Sequence, residues 1–176
     1  MILTSRTRLR PFEEGDREAF AALVRDSQVM ADQGGPMTVA SAHAKLDGYR
    51  SAWKRSCCSR MALETHDGIF LGYVGIMEHG LEHPIGPHHD IGWRLVRTAW
   101  GLGYATEAAR AVLTDAFSRL QLKEVLAYTE QTNAKSLKVM QRLNLARDPS
   151  RDFVAEYKGV GAWRGLVWSA SPEGST

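Results

Sequence analysis

The tightest constraint on this chain is the run Trp100-Gly101-Leu102-Gly103-Tyr104-Ala105, which joins a strand-like segment to a strongly periodic one. Before it, Asp90-Ile91-Gly92-Trp93-Arg94-Leu95-Val96 alternates as a strand does. After it, Ala109, Val112, Leu113, Ala116, Phe117 and Leu120 recur on one face of a helix expected over Thr106 to Leu120. A helix entered through such a turn starts with backbone N–H groups that have no intrahelical partner. Its macrodipole adds about half a positive charge there. Small residues allow close backbone approach and positive φ, so a phosphate or pyrophosphate suits the position. On these residues alone three readings stay open: a tight turn that merely needs glycine, a dinucleotide-binding turn, and a coenzyme A pyrophosphate site. The dinucleotide reading has Gly101-Leu102-Gly103 opening a helix and Glu124 downstream. It lacks the third glycine, because position 106 is Thr, and the strands before the turn read as a hairpin.

The rest of the chain supplies the frame. Arg6 to Phe12 alternates and ends at Pro11, which predicts a first strand. From Asp16 the period becomes helical, with Phe20, Leu23 and Val24 on one face, until the breaker cluster Asp32-Gln33-Gly34-Gly35-Pro36. Thr38 or Ser41 caps a second helix carrying Leu46, Tyr49 and Trp53. Met61 to Thr65 and Ile69 to Met77 form a hairpin through His66-Asp67-Gly68. Glu124 to Thr129 and Trp163 to Ser169 are further strands, and Ala134 to Leu143 a helix; no strand is placed over residues 146–160. Hairpins first and a crossover second predict an α/β (α+β) chain, a mixed sheet with helices on both faces. One domain is expected over residues 1–170, with 171–176, which lack large apolar residues, as a frayed tail.

Length and charge exclude more than they assign. A chain of 176 residues suits one domain, and a domain of this size buries roughly 70% of the surface of its unfolded chain. Its 22 basic and 20 acidic residues leave a net charge of +2, too balanced to argue for nucleic acid or an acidic membrane surface. No run approaches the roughly 18 apolar residues of a membrane span, and the start Met1-Ile2-Leu3-Thr4-Ser5-Arg6 is too polar for a signal peptide. The adjacent Cys57 and Cys58 cannot staple distant segments. A cytoplasmic protein is expected.

The turn, with its neighbours, resembles the GNAT superfamily of N-acetyltransferases. That family's loop, (Gln/Arg)-x-x-Gly-x-(Gly/Ala), aligns with Trp100 to Ala105, with Trp in place of Gln or Arg at the first position. Trp-Gly-x-Gly-Tyr-Ala-Thr-Glu-Ala is characteristic of one branch, the RimJ/RimL-like ribosomal-protein-alanine acetyltransferases. Arg8-Leu9-Arg10-Pro11-Phe12, Ile91-Gly92-Trp93-Arg94-Leu95 and Asn133-Ala134-Lys135-Ser136 match the same branch in order. The resemblance implies a GNAT fold with a mixed central sheet of about six to seven strands. It also implies acetyl-CoA as cosubstrate, a primary amine as acceptor on a small molecule or a protein N-terminus, and direct transfer in a ternary complex. A homodimer is compatible with it. The alternative function is a non-catalytic acyl-CoA sensor of the same fold.

The resemblance further implies that Gly101, Leu102, Gly103, Tyr104, Ala105 and Thr106 cradle the pyrophosphate, and that the strand Gly92 to Val96, chiefly Leu95 and Val96, pairs with the pantetheine. Asn133 and Ser136 would face the cofactor, with the Ser136 hydroxyl as proton donor to the departing thiolate and Tyr104 and Tyr128 as alternatives. Lys135, Lys138 and Arg142 share that helix and are candidates for the 3′-phosphate. The acceptor needs a base in proportion to its pKa, about 8 for an α-amine and about 10.4 for a lysine. Glu130, Asp90 and Glu78 are the candidates, in that order. The segment Glu78 to Asp90 holds four of the candidate histidines (His79, His83, His88, His89), but its spacing fits no structural zinc pattern. No metal is expected, and Cys57 and Cys58 have no partner base for covalent catalysis.

Overall fold

The computed structural model describes residues 1–157 and 161–172. Among the described residues, nine strands form one connected sheet with four α-helices around it. The strands are β1 (Ile2–Leu3), β2 (Thr7–Arg10), β3 (Arg60–Thr65), β4 (Phe70–His79), β5 (His88–Leu95), β6 (Val125–Thr129), β7 (Ala146–Arg147), β8 (Phe153–Tyr157) and β9 (Gly161–Ala170). The helices are α1 (Arg17–Arg25), α2 (Val39–Ser56), α3 (Tyr104–Ser118) and α4 (Ala134–Arg142). Strand order is β1-β2-β3-β4-β5-β6-β9-β7, with β8 also on β9. Every pairing is antiparallel except β5 with β6. Setting aside the two-residue β1 and β7, seven strands remain, and the mixed α/β sheet with helices on both faces expected from the sequence is the one found.

The two sheet faces bury different helices. Leu63, Val74, Ile91 and Leu95 pack against Ala109, Val112 and Leu113 of α3 and Met140 of α4. Ala62 and Tyr73, one position along each strand and so on the opposite face, pack against Phe20, Leu23, Val24 of α1 and Leu46 of α2. Thr38 is the cap of α2, its side chain accepting from the Ser41 N–H. Asn144, with φ 55, takes the left-handed position after α4 that often falls to glycine.

Two regions differ from the sequence expectation. The histidine-rich segment is a loop only over residues 80–87, because β4 runs to His79, β5 begins at His88, and these two stand opposite each other. Their rings stack at 4.8 Å, so imidazoles here do the cross-strand packing that apolar rings usually do. Residues 146–157 supply β7 and β8, both on β9. Neither shows a useful alternation; Asp152 helps hold the turn between them, accepting from the Val167 N–H at 3.0 Å and pairing with Arg147. Of the tail expected at 171–176, residues 173–176 lie outside the described residues. Among the described residues no helix is long and apolar enough to cross a membrane.

Candidate active site

The cleft begins where the sheet fails to close. The parallel neighbours β5 and β6 have one register pair, Asp90 with Leu126, and then diverge. The Val96 N–H donates to the Leu71 carbonyl of the β4 side at 2.9 Å. Successive strand N–H groups point to opposite sides, so those of Trp93 and Leu95 face the cleft. Both lie in the strand Gly92 to Val96 expected to pair with the pantetheine, whereas Val96, at its end, turns its donor away. The Leu95 carbonyl on this open edge accepts from Trp100 Nε1 at 2.8 Å.

The turn after β5 takes the conformation its glycines allow: φ is 77° at Gly101 and 85° at Gly103. Gly103 is the N-cap of α3 and no side chain caps that helix end. The Thr106 hydroxyl oxygen is buried without a hydrogen-bond partner. Uncapped N–H groups and an orphaned hydroxyl on the first turn of a 15-residue helix are an arrangement that an anion satisfies. A coenzyme A pyrophosphate fits it. Arg6 braces the turn from outside, donating to the Leu102 carbonyl at 2.9 Å and covering the Tyr104 ring. Glu107, the acid on this first turn, points away to Ser5 and Arg6. Burial raises its pKa, but hydrogen bonds from Thr4, Arg6 and Ser5 outweigh that and bring it to about 2. It therefore does not compete for the anion position.

A cleft of about 680 Å³ runs from this turn to α4 and to Glu130, just past β6. Of the expected cofactor residues, Leu95, Gly101, Gly103, Tyr104, Ala105, Thr106, Asn133 and Ser136 line it, while Leu102 and Val96 do not. Asn133 caps α4, its Oδ1 accepting from the Ser136 N–H at 3.1 Å. Its Nδ2 donates to Asp32 at 3.1 Å. Asp32 also pairs with Arg94 at 2.8 Å, so the loop between α1 and α2 is tied across the cleft to β5 and α4. Asp32 and Arg94 went unnoticed in the sequence because Asp32 sits in a breaker cluster and its partners are 62 and 101 positions away.

The three candidate carboxylates separate. Glu130 lines the cleft. Glu78 is exposed and absent from the cleft wall. Asp90 is 4% exposed, and both its oxygens are engaged: Arg60 Nη2 at 2.6 Å and His79 Nε2 at 2.8 Å. Burial raises its pKa, but Arg60 and His79 bring it below the usual carboxylate value. Its role here is to hold Arg60, whose guanidinium lies over Gly92, where a Cβ would meet it at 2.7 Å. Tyr128 stands beyond, its hydroxyl 3.3 Å from His79 Nε2, among the rings of His83, His88, Phe153 and Trp163. Burial first, then the neighbouring imidazoles, lower His83 to about 4. Among the described residues no group of three or more His, Cys, Asp or Glu is arranged to hold a metal. Cys57 is exposed, and burial pushes the Cys58 thiol up to about 11; neither lines the cleft.

Known proteins share this architecture. The family model of the acetyltransferase (GNAT) domain matches residues 6–146. The protein YkkB of Bacillus subtilis (strain 168) is 30% identical over 146 residues, covering 82% of this chain and 84% of the relative. An acetyltransferase from Agrobacterium tumefaciens str. C58 has a similar structure, with a TM-score of 0.80 at 26% identity over 96% of this chain and 92% of the other. RimJ of Mycobacterium smegmatis, solved in complex with CoA-disulfide, shares the fold at a TM-score of 0.73 and 21% identity, over 97% and 87% of the two chains.

Proposed function

Because the chain belongs to the GNAT family of N-acetyltransferases, we propose that it moves an acetyl group from acetyl-CoA to a primary amine, by direct transfer in a ternary complex. The observation that carries this reading is the uncapped start of α3, with the orphaned Thr106 hydroxyl, at one end of a cleft whose other wall is the unpaired edge of β5. Acetyl-CoA, when bound, supplies an acetyl group already activated as a thioester. The chain's residues bind and orient it and handle two protons.

Backbone N–H groups of the turn and the first turn of α3 hold the pyrophosphate. The Trp93 and Leu95 N–H groups face the pantetheine arm, and one of them donates to the thioester carbonyl. One such donor contributes about 3 kcal/mol to transfer. Glu130, at the cleft wall, takes the amine's proton directly or through water, and the Ser136 hydroxyl returns one to the thiolate. Ser136 keeps its hydroxyl available because its backbone N–H, not its side chain, is bound to Asn133. No thiol lines the cleft, which favours direct transfer over a covalent relay.

The RimJ/RimL-like sequence motifs favour a protein N-terminal amine, with small-molecule amines as the other acceptor class. The reading puts the protein in the cytoplasm as a single domain over residues 1–170. Thiol release from acetyl-CoA, followed across N-terminal peptides, polyamines, amino acids and aminoglycosides, tests it. Turnover with at least one amine is expected; tight acetyl-CoA binding without turnover on any would favour the sensor.

A further inference from the structure

The cleft wall on α4 carries Lys135, Lys138 and Arg142, one row along one helix face. None of the three has a carboxylate partner among the ion pairs of the described residues, whereas Arg6, Arg8, Arg10, Arg60 and Arg94 all do. Lys135 is further singled out in two ways. It sits in the first turn of α4, where the positive end of the helix dipole disfavours a cation. Its ammonium is also 3.2 Å from the centre of the Trp100 ring, a cation–π contact that holds it beside Gly101 and the start of α3. Trp100 is itself fixed, because its indole N–H is bound to the Leu95 carbonyl. A lysine held against its helix dipole, beside uncapped N–H groups, is explained by an anion between them.

We propose that Lys135, seated on the Trp100 indole, is the side chain that binds the cofactor's pyrophosphate, with Trp100 as its positioning residue. An ammonium has three donors, and the ring face occupies one side of it, leaving the others directed at the cleft. Lys138 and Arg142, further along α4, are left for a more distant phosphate. The inference rests on the coenzyme A reading, and its test separates the two.

Calorimetry with coenzyme A and with dephospho-coenzyme A, which lacks the 3′-phosphate, is carried out on wild type, Lys135→Ala, Lys135→Arg and Trp100→Leu. Lys135 is exposed, so its variants are expected to fold, and circular dichroism checks this. Lys135→Ala is expected to weaken both ligands equally, by roughly tenfold in Kd, with the gap to wild type narrowing as salt rises. Lys135→Arg is expected to retain most of the affinity, and Trp100→Leu to lose part of it for both ligands. Unchanged affinity in Lys135→Ala, or a loss seen with coenzyme A but absent with dephospho-coenzyme A, would overturn the assignment while leaving the coenzyme A reading intact. Wild type that binds neither ligand would overturn both.

Discussion

The two ends of the cleft are built from opposite materials. At the start of α3 the polar groups are backbone and largely unpaired: an uncapped helix end, one orphaned hydroxyl, and cations on α4 without carboxylates. At the other end the polar groups are side chains already satisfied by one another: Asp32 holds Arg94 and Asn133. Outside the cleft wall, Asp90 holds Arg60 and His79 in the same way. Unpaired donors cost stability unless a ligand satisfies them, so the first end is preorganised for one kind of guest. The second end is stable without a guest.

Three substitutions test that contrast. The largest effect is expected among the side chains that satisfy one another. Arg60→Met strands the buried Asp90 carboxylate and is expected to cost about 3–5 kcal/mol of stability, read by urea denaturation. Calorimetry on the folded fraction should show acetyl-CoA affinity little changed. A comparable loss of affinity would mean the two ends are not separate.

Next is the chemistry between the ends. Ser136→Ala keeps the backbone cap to Asn133 and removes only the hydroxyl. A fall in kcat of roughly 10²-fold is expected, with acetyl-CoA affinity unchanged. An unaltered kcat would remove Ser136 from the proton path and point to a tyrosine instead.

The smallest effect tests the outer brace. Glu107 has its folded-state pKa lowered to about 2. A lowered carboxyl pKa contributes stability above the unfolded value of about 4.3, and that contribution is lost as pH falls through the folded value. Glu107→Gln is therefore expected to cost on the order of 1–2 kcal/mol at pH 7 and progressively less as the pH approaches 2. Denaturation at both pH values checks this; an equal cost at both would mean the loss is packing rather than charge.

The cofactor end was legible in the sequence for a physical reason. Its parts are consecutive: a strand, two glycines at positive φ and a periodic helix all fall within Asp90 to Leu120, so local pattern and local geometry coincide. Asn133 and Ser136 were legible for the same reason, as a cap and its first turn. The mixed character of the sheet followed from the hairpins and one crossover, whereas the places of β7 and β8 did not. What the sequence left open depends on contacts far along the chain. Which N–H groups of Gly92 to Val96 face the cleft is set by the β4–β5 register. Asp90 becomes a buried partner because Arg60, 30 positions away, reaches it. Lys135 meets Trp100 only once α4 packs beside the turn.

The sequence by itself thus determined a resemblance to the GNAT acetyltransferases, which the family match bears out, and a glycine turn opening a helix at residues 100–106, because helix ends and glycine turns carry their signals in consecutive residues. Only the tertiary structure decided which side chains surround that turn. Their pairing depends on distance in space, and the order of residues along the chain does not specify it.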